Sequence, residues 1–322
     1  MGGLLSELGK KLAERWLSLL VLPGALYLAV AAAAHALGHA NPLDVSRLTD
    51  QVTAWATAPA TRTLGGQVVL LLAMLAGSAT VGLAAQALGT LAERLCLAAD
   101  WTTWPSLLRS RVGRRVTARQ GRWDIAARHW HRHREDAART RARGRRADPT
   151  PRLAAHHVLV RIAVERPARP TWSGDRIHAA AVRLDRDQHL DLATVWPHLW
   201  LILPDAARAE ITTARQALTR ATTLFAWALL YLSLVVWWWP AALITTALAL
   251  TGWVRTRSAA DSYALLLEAA MRVHATALAR HLGLDHTGPL TREVGDELTR
   301  LLAPSPPATT AVLLAMTAVH AG

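Results

Sequence analysis

"LVVWWWPAAL", Leu234 to Leu243, sets three adjacent tryptophans and a proline in the middle of a long apolar run. The run extends from Ala221 to Val254, 34 residues without a charge, bounded by Arg220 and Arg255. As one helix it would be ~51 Å long against a hydrocarbon core of ~30 Å, an excess that tilt alone does not absorb. A hairpin turned at Trp239-Pro240 gives arms of about 18 and 15 residues, ~27 and ~22 Å. Tryptophan favours the headgroup level, where the ring is buried and the N–H stays wet. Proline suits a turn or the start of the returning helix, where its missing N–H costs nothing. A single Pro-kinked helix is the alternative, and length decides for the hairpin.

Two further apolar blocks precede it. "WLSLLVLPGALYLAVAAAA", Trp16 to Ala34, has 19 residues and would measure ~28 Å, with Pro23-Gly24 as a kink. The block between Arg62 and Glu93 is long enough for one tilted crossing, and Gly77 and Gly82 offer a small-residue face for a neighbouring helix. These readings predict a mainly α, polytopic membrane protein with about four transmembrane helices, at about 16–36, 66–92 and the two arms of 221–255. The start, with Lys10, Lys11 and Arg15 before an apolar run and "AHALGHA" after it, has the layout of a secretory signal. Its apolar run is longer than a usual signal core, which favours an uncleaved anchor.

Charge placement tests the topology independently. Residues 1–100 carry six basic and six acidic side chains, and 221–322 also carry six of each. The net +13 therefore falls within 101–220, with 24 Arg and 11 acids. The positive-inside rule places Lys10, Lys11 and Arg15 in the cytoplasm, loop 37–64 outside, the 101–220 region inside, and Arg255 and Arg257 inside again. Both termini are then cytoplasmic, and the expected location is a bacterial plasma membrane. Arginine outnumbers lysine 34 to 2, which together with the alanine content reflects a GC-rich bacterial coding bias more than phosphate recognition. The one cysteine, Cys96, excludes an intrachain disulfide and a thiolate metal cluster.

The expected organisation is a transmembrane pair (1–100), a basic cytoplasmic helical domain (101–220), the hairpin (221–255), C-terminal cytoplasmic helices (256–302) and a Pro-rich hinge with an apolar tail (303–322). Val112, Val116, Trp123, Ala127 and Trp130 form one helical stripe, with arginines on the other faces, predicting a long amphipathic helix that continues from the second crossing. It would fray in "RTRARGRRADPTP", Arg139 to Pro151. Residues 153–166 read equally as helix or strand. Ile177, Ala181 and Leu184 predict a helical face, Asp191 an N-cap, and Pro197 the opening of a further turn. Asp205 is expected to cap a single helix from Ala206 to about Trp238, linking the cytoplasmic part to the hairpin. "DSYALLLEAAMRVHATALARHLG" reads as another helix, with Gly283 as its stop. Residues 258–322, net −2, are an expected counterpart for the basic segment.

The string "PTWSGDRIHAA…LDLATVWPHLWLILP", followed by a Pro-tipped hairpin and "SYALLLEAAMRVHATALARHLG", resembles a group of uncharacterised bacterial integral membrane proteins that share Pro-Thr, Gly-Asp, Leu-Asp and Trp-Pro marks. The resemblance covers residues 168 to about 283. It implies the architecture and no activity, cofactor or catalytic residue.

Catalytic motifs are weak. His129 and His133 have the i, i+4 spacing of a metal pair, but Arg128, Arg132 and Arg134 crowd them and no HExxH glutamate lies between, so a solvated face is the better reading. No Walker, GxGxxG, GxSxG or EF-hand pattern occurs. No metal and no cofactor is expected. Trp172, Asp175, Arg176, Asp191, Trp196 and Trp200 are the candidate ligand or partner surface. Arg109, Arg111, Arg114, Arg115, Arg255 and Arg257 are the candidate headgroup contacts. The expected function is a non-enzymatic membrane protein whose basic domain contacts anionic lipid headgroups or a cytoplasmic protein. Trp123 and Trp130 sit on the apolar stripe, which argues against base stacking and nucleic-acid binding. The alternative is an oligomeric pore, channel or membrane-disrupting effector, and a homo-oligomer fits either reading.

Overall fold

The computed structural model describes residues 21–284, 288 and 290–304. The start of the first apolar block, with the basic residues before it, and the tail from 305 lie outside the described residues. The chain is mainly helical, with no strand among the described residues. In order the helices are α1 (Leu22–Leu37), α2 (Val45–Ala56), α3 (Pro59–Arg62), α4 (Leu64–Leu97), α5 (Ser106–Ala142), α6 (Thr150–Ile162), α7 (Trp172–Gln188), α8 (Leu192–Ile202), α9 (Asp205–Leu234), α10 (Ala241–His281) and α11 (Arg292–Leu302). They gather into two units: residues 1–109 with 215–260, and residues 110–214 with 261–322.

In the first unit the chain reverses where length and proline demanded. α9 ends at Leu234, and Val235 to Pro240 form tight turns, with Trp238 N–H on the Leu234 carbonyl and Ala241 N–H on that of Trp238. α10 then runs back along α9. Tyr231, Leu234 and Ala241 form a buried cluster, with Trp227, Ile244 and Leu248 packed against it. Further from the turn, Gly252 backs onto Leu224 and Phe225. The expected α9 limit near Trp238 is corrected to Leu234, because the turn takes up the three tryptophans.

α1 and α4 pack through small residues. The buried face of α4 is Ser78, Gly82, Ala85, Gly89, Ala92 and Glu93, a helical stripe that includes the expected Gly82. A Cβ on Gly24 of α1 would fall on the Ser78 carbonyl oxygen. Backbones approach this closely only where one partner lacks a side chain. The rest of α4 faces outward: Val68, Val69, Leu71, Leu72, Leu75 and Leu83 are exposed. α4 and α9 are long and apolar enough to cross a membrane. The described part of α1 has 16 residues. The apolar part of α10, Ala241 to Val254, would measure ~21 Å.

The ends of this unit are chemically distinct. Trp238 Nε1 donates to the Pro42 carbonyl at 2.8 Å, and His39 Nδ1 lies 2.6 Å from the Trp237 carbonyl oxygen. The hairpin tip and the loop after α1 therefore share one end. At the other end Arg215 Nη2 pairs with Glu93, and the Gly252 contact brings Arg255 and Arg257 beside the start of the apolar part of α9.

In the second unit, Leu184, Leu190, Val195, Leu199, Ile211, Met271 and Leu298 make the main core. α11 docks through Gly295, where a Cβ would fall on the Gln188 carbonyl oxygen. Asp191 caps α8, accepting from Ala193 N–H at 3.1 Å. Gly283, at φ 76°, stops the chain after α10. Several expectations are corrected. α5 does not continue from α4, because Ala98 turns left-handed at φ 41° and a short 3-10 turn follows. The ambiguous 153–166 stretch is helical through Ile162. Pro197 lies inside α8. Asp205 is the first residue of α9 and not its cap. The helix expected after the hairpin is the unbroken continuation of α10, since "RTRSAA", Arg255 to Ala260, holds neither Gly nor Pro to interrupt it.

Gly24→Ala is expected to lower the thermal unfolding midpoint, since over-packing a tight contact costs ~1–3 kcal/mol. Gly65→Ala, where the added carbon meets open space, should leave it unchanged or slightly raised. Far-UV circular dichroism in detergent micelles compares the two.

Candidate functional site

The Pro-Thr…Gly-Asp string forms a buried polar hub of the second unit. Thr171 caps α7, its hydroxyl accepting from Gly174 N–H at 3.1 Å. That cap sets Asp175 in the first turn, 5% exposed. Its Oδ1 accepts from the backbone N–H groups of Ala168 (2.9 Å) and Arg169 (2.7 Å). Its Oδ2 pairs with Arg119, which is 7% exposed. Arg119 also donates to the carbonyls of Arg169 (2.5 Å) and Ile162 (2.8 Å). On α5 beside it, Gln120 Nε2 donates to the Pro167 carbonyl at 2.8 Å and Trp123 Nε1 to that of Ala163 at 3.0 Å. One α5 face is thus bonded to the backbone from Ile162 to Arg169. A buried charge is tolerable only when its hydrogen-bonding capacity is filled this way.

A second set of charges ties α7 to α10. Arg176 Nε donates to Asp261 Oδ1 at 2.5 Å. Arg183 Nε donates to Glu165 Oε1 at 3.0 Å, and Arg186 Nη1 to Glu165 Oε2 at 3.1 Å. Buried Glu268 lies 3.9 Å from Arg176 Nη1 and 3.6 Å from Arg183 Nη1. Those separations allow attraction without hydrogen bonding, and Arg176 Nη1 and Glu268 Oε1 are buried without a hydrogen-bond partner. Asp187 is paired with Arg272 at 2.9 Å, and that bond foremost holds its carboxyl below the usual range. Acids of the C-terminal segment therefore do meet arginines of the basic one, at Asp261 and Glu268. His178 is half-buried; burial first, then the Arg169 charge, pushes its imidazole below the usual value, with Asp175 opposing.

The candidate surface residues are placed as follows. Trp172 is half-buried, its Nε1 donating to the Val160 carbonyl at 3.2 Å. Asp175 and Arg176 are buried in the two networks. Asp191 is exposed and occupied as a cap. Trp196 and Trp200, with ring centroids 5.7 Å apart, pack on the main core. Arg109, Arg111, Arg114, Arg115 and Arg255 are exposed, and the Arg257 guanidinium lies over the Trp253 ring at 5.4 Å. His129 and His133 stack edge-on at 4.6 Å. With Arg122, Ile125 and Val158 they line a groove of about 600 Å³ between α5 and α6. Among the described residues, no group of three His, Cys, Asp or Glu side chains is placed to hold a metal ion.

Arg119 is the residue sequence reasoning passed over. It sits between Val116 and Trp123 at the spacing of the apolar stripe, so an arginine on the buried face was the readable signal. In the first unit, Glu93, Arg94, Asp100, Trp104 and Arg215 line an open cleft of about 620 Å³. Comparison of the chain with family models, curated proteins and solved structures finds no match.

Asp175→Ala strands the Arg119 charge and two backbone donors, and is expected to cost ~3–5 kcal/mol. Arg186→Met, at a site 55% exposed, should cost under ~1 kcal/mol. Denaturant titration followed by tryptophan fluorescence separates them. His178 has a depressed folded pKa against 6.5 unfolded. The unfolded chain therefore binds the proton first, and stability present above pH ~6.5 is lost as pH falls toward the folded pKa. The midpoint should drop over that window, and His178→Gln should flatten the slope.

Proposed function

We propose that this chain is a bacterial integral membrane protein of four crossings, with both termini cytoplasmic. Its basic helical part contacts anionic lipid headgroups. The family resemblance of residues 168 to about 283 belongs to the same proposal. The carrying observation is the division of the arginines. Arg119, Arg176 and Arg183 are consumed in ion pairs, whereas Arg111, Arg114 and Arg115 stand exposed along the early turns of α5, with Arg109 just before them. Each basic side chain near an anionic surface contributes ~1 kcal/mol. The apolar exterior of α4 supports embedding, because soluble monomers rarely expose contiguous apolar surface on this scale. The unequal ends of the first unit, tryptophans at the tip and arginines opposite, support the orientation. The apolar part of α10 is short for a crossing, and local thinning accommodates it. The part played is non-enzymatic: the buried carboxylates and guanidiniums serve packing.

Amide hydrogen exchange over residues 106–118, with the full chain in nanodiscs, tests the headgroup contact. Exchange should be slower in bilayers containing phosphatidylglycerol than in pure phosphatidylcholine. Substituting Arg111, Arg114 and Arg115 together by Gln should erase the difference. Equal exchange of the unsubstituted protein in both bilayers would overturn the proposal.

A further inference from the structure

α2 joins the ends of two apolar helices, yet none of its residues is buried. Its sequence, "VSRLTDQVTAWA", gathers its large apolar residues on one side. At ~100° per residue, Val45, Leu48, Val52, Trp55 and Ala56 fall within one arc of about 100°. Ser46, Arg47, Thr49, Asp50, Gln51, Thr53 and the small Ala54 occupy the remainder. Val45, Val52 and Trp55 are exposed. The helix is well made locally: Asp44 caps it, accepting from Arg47 N–H at 3.1 Å. Leu48 is half-buried, and an amphipathic helix whose apolar face the described residues leave largely uncovered implies a partner for that face.

We propose that α2 is an interfacial helix, lying on the bilayer surface at the hairpin-tip end with Val45, Leu48, Val52 and Trp55 turned into the acyl boundary. The inference rests on the membrane reading of the first unit and names a second lipid contact, at the hairpin-tip end of that unit. Position argues for lipid as the occupant. Trp238 holds the Pro42 carbonyl at 2.8 Å. Val45 is three residues further on, a reach of at most ~11 Å. Trp237 and Trp239 are exposed at the same end. An amphipathic helix tethered at a tryptophan-bearing end is held in the layer where such helices bury their apolar face ~5–10 Å deep. One basic and one acidic side chain, Arg47 and Asp50, make α2 neutral, so hydrophobic contact drives the association and anionic lipid is not required.

The test uses the full chain with Cys96→Ser, reconstituted in neutral bilayers, and one environment-sensitive fluorophore at a time on Leu71→Cys, Val52→Cys or Asp50→Cys. All three positions are exposed, so labelling leaves the packing intact. The position-71 probe reports embedding and should be quenched by spin labels deep in the acyl chain. The position-52 probe should be blue-shifted and quenched by labels near the headgroup, while the position-50 probe stays open to aqueous iodide. No lipid quenching at position 71 would overturn the membrane reading and the interfacial helix with it. Quenching at 71 with a water-exposed probe at 52 would overturn the interfacial helix alone. A position-52 probe shielded from iodide yet untouched by every lipid label would also overturn it, since a protein surface, a second copy included, would then cover the face.

Discussion

A 34-residue apolar run would be ~51 Å long as one helix, and this chain reverses instead at Pro240. Its nitrogen has no proton to donate, so the turn costs it no hydrogen bond. The neighbouring donors are met locally: Trp238 bonds to Leu234, and Ala241 to Trp238. That reversal lays Gly252 on Leu224 and stacks Tyr231 edge-on with Tyr27 of α1 at 5.3 Å. It also brings the tryptophans to the end that carries Pro42. Without the turn, the arginines at 215, 220, 255 and 257 would be spread along one rod.

The second unit is organised by buried charge. Asp175 and Arg119 fill nearly all of each other's needs together with four backbone groups. Arg176 and Glu268 do not, since Arg176 Nη1 and Glu268 Oε1 stay unbonded. Such pairs add little net stability against an apolar core of the same volume, and they penalise wrong registers. The polar marks of the Pro170 to Pro204 stretch therefore act as architecture: a cap at Thr171, a hub at Asp175, a second cap at Asp191. Arg111, Arg114 and Arg115 of α5, by contrast, stand exposed, and the proposed headgroup contact rests on them.

Legibility followed the range of the interaction. The hairpin, the Asp191 cap, the Gly283 stop and the small face of α4 are local and were readable. So was the α5 stripe, although its arginine was not taken as part of it. A strict spacing count places Arg119 on the buried face, and a charge there demands a partner. The pairing of Arg176 with Asp261 was beyond reach, since 85 residues separate them and nothing in either neighbourhood names the other. Helix continuity was misread in both directions. α10 runs on through a stretch that contains no breaker, whereas α5 starts afresh because Ala98 goes left-handed, a conformation alanine rarely adopts. The two faces of α2 were present in its spacing, hidden by treating 37–64 as a loop.

The proposed four-crossing topology requires the chain to return to its starting side after Pro240. Paired reporter fusions, one active only in the cytoplasm and one only outside it, placed after residue 304 and within loop 38–44, measure this directly. The account predicts cytoplasmic activity at the first position and external activity at the second. An external reporter active after residue 304, or both positions on one side, would contradict it.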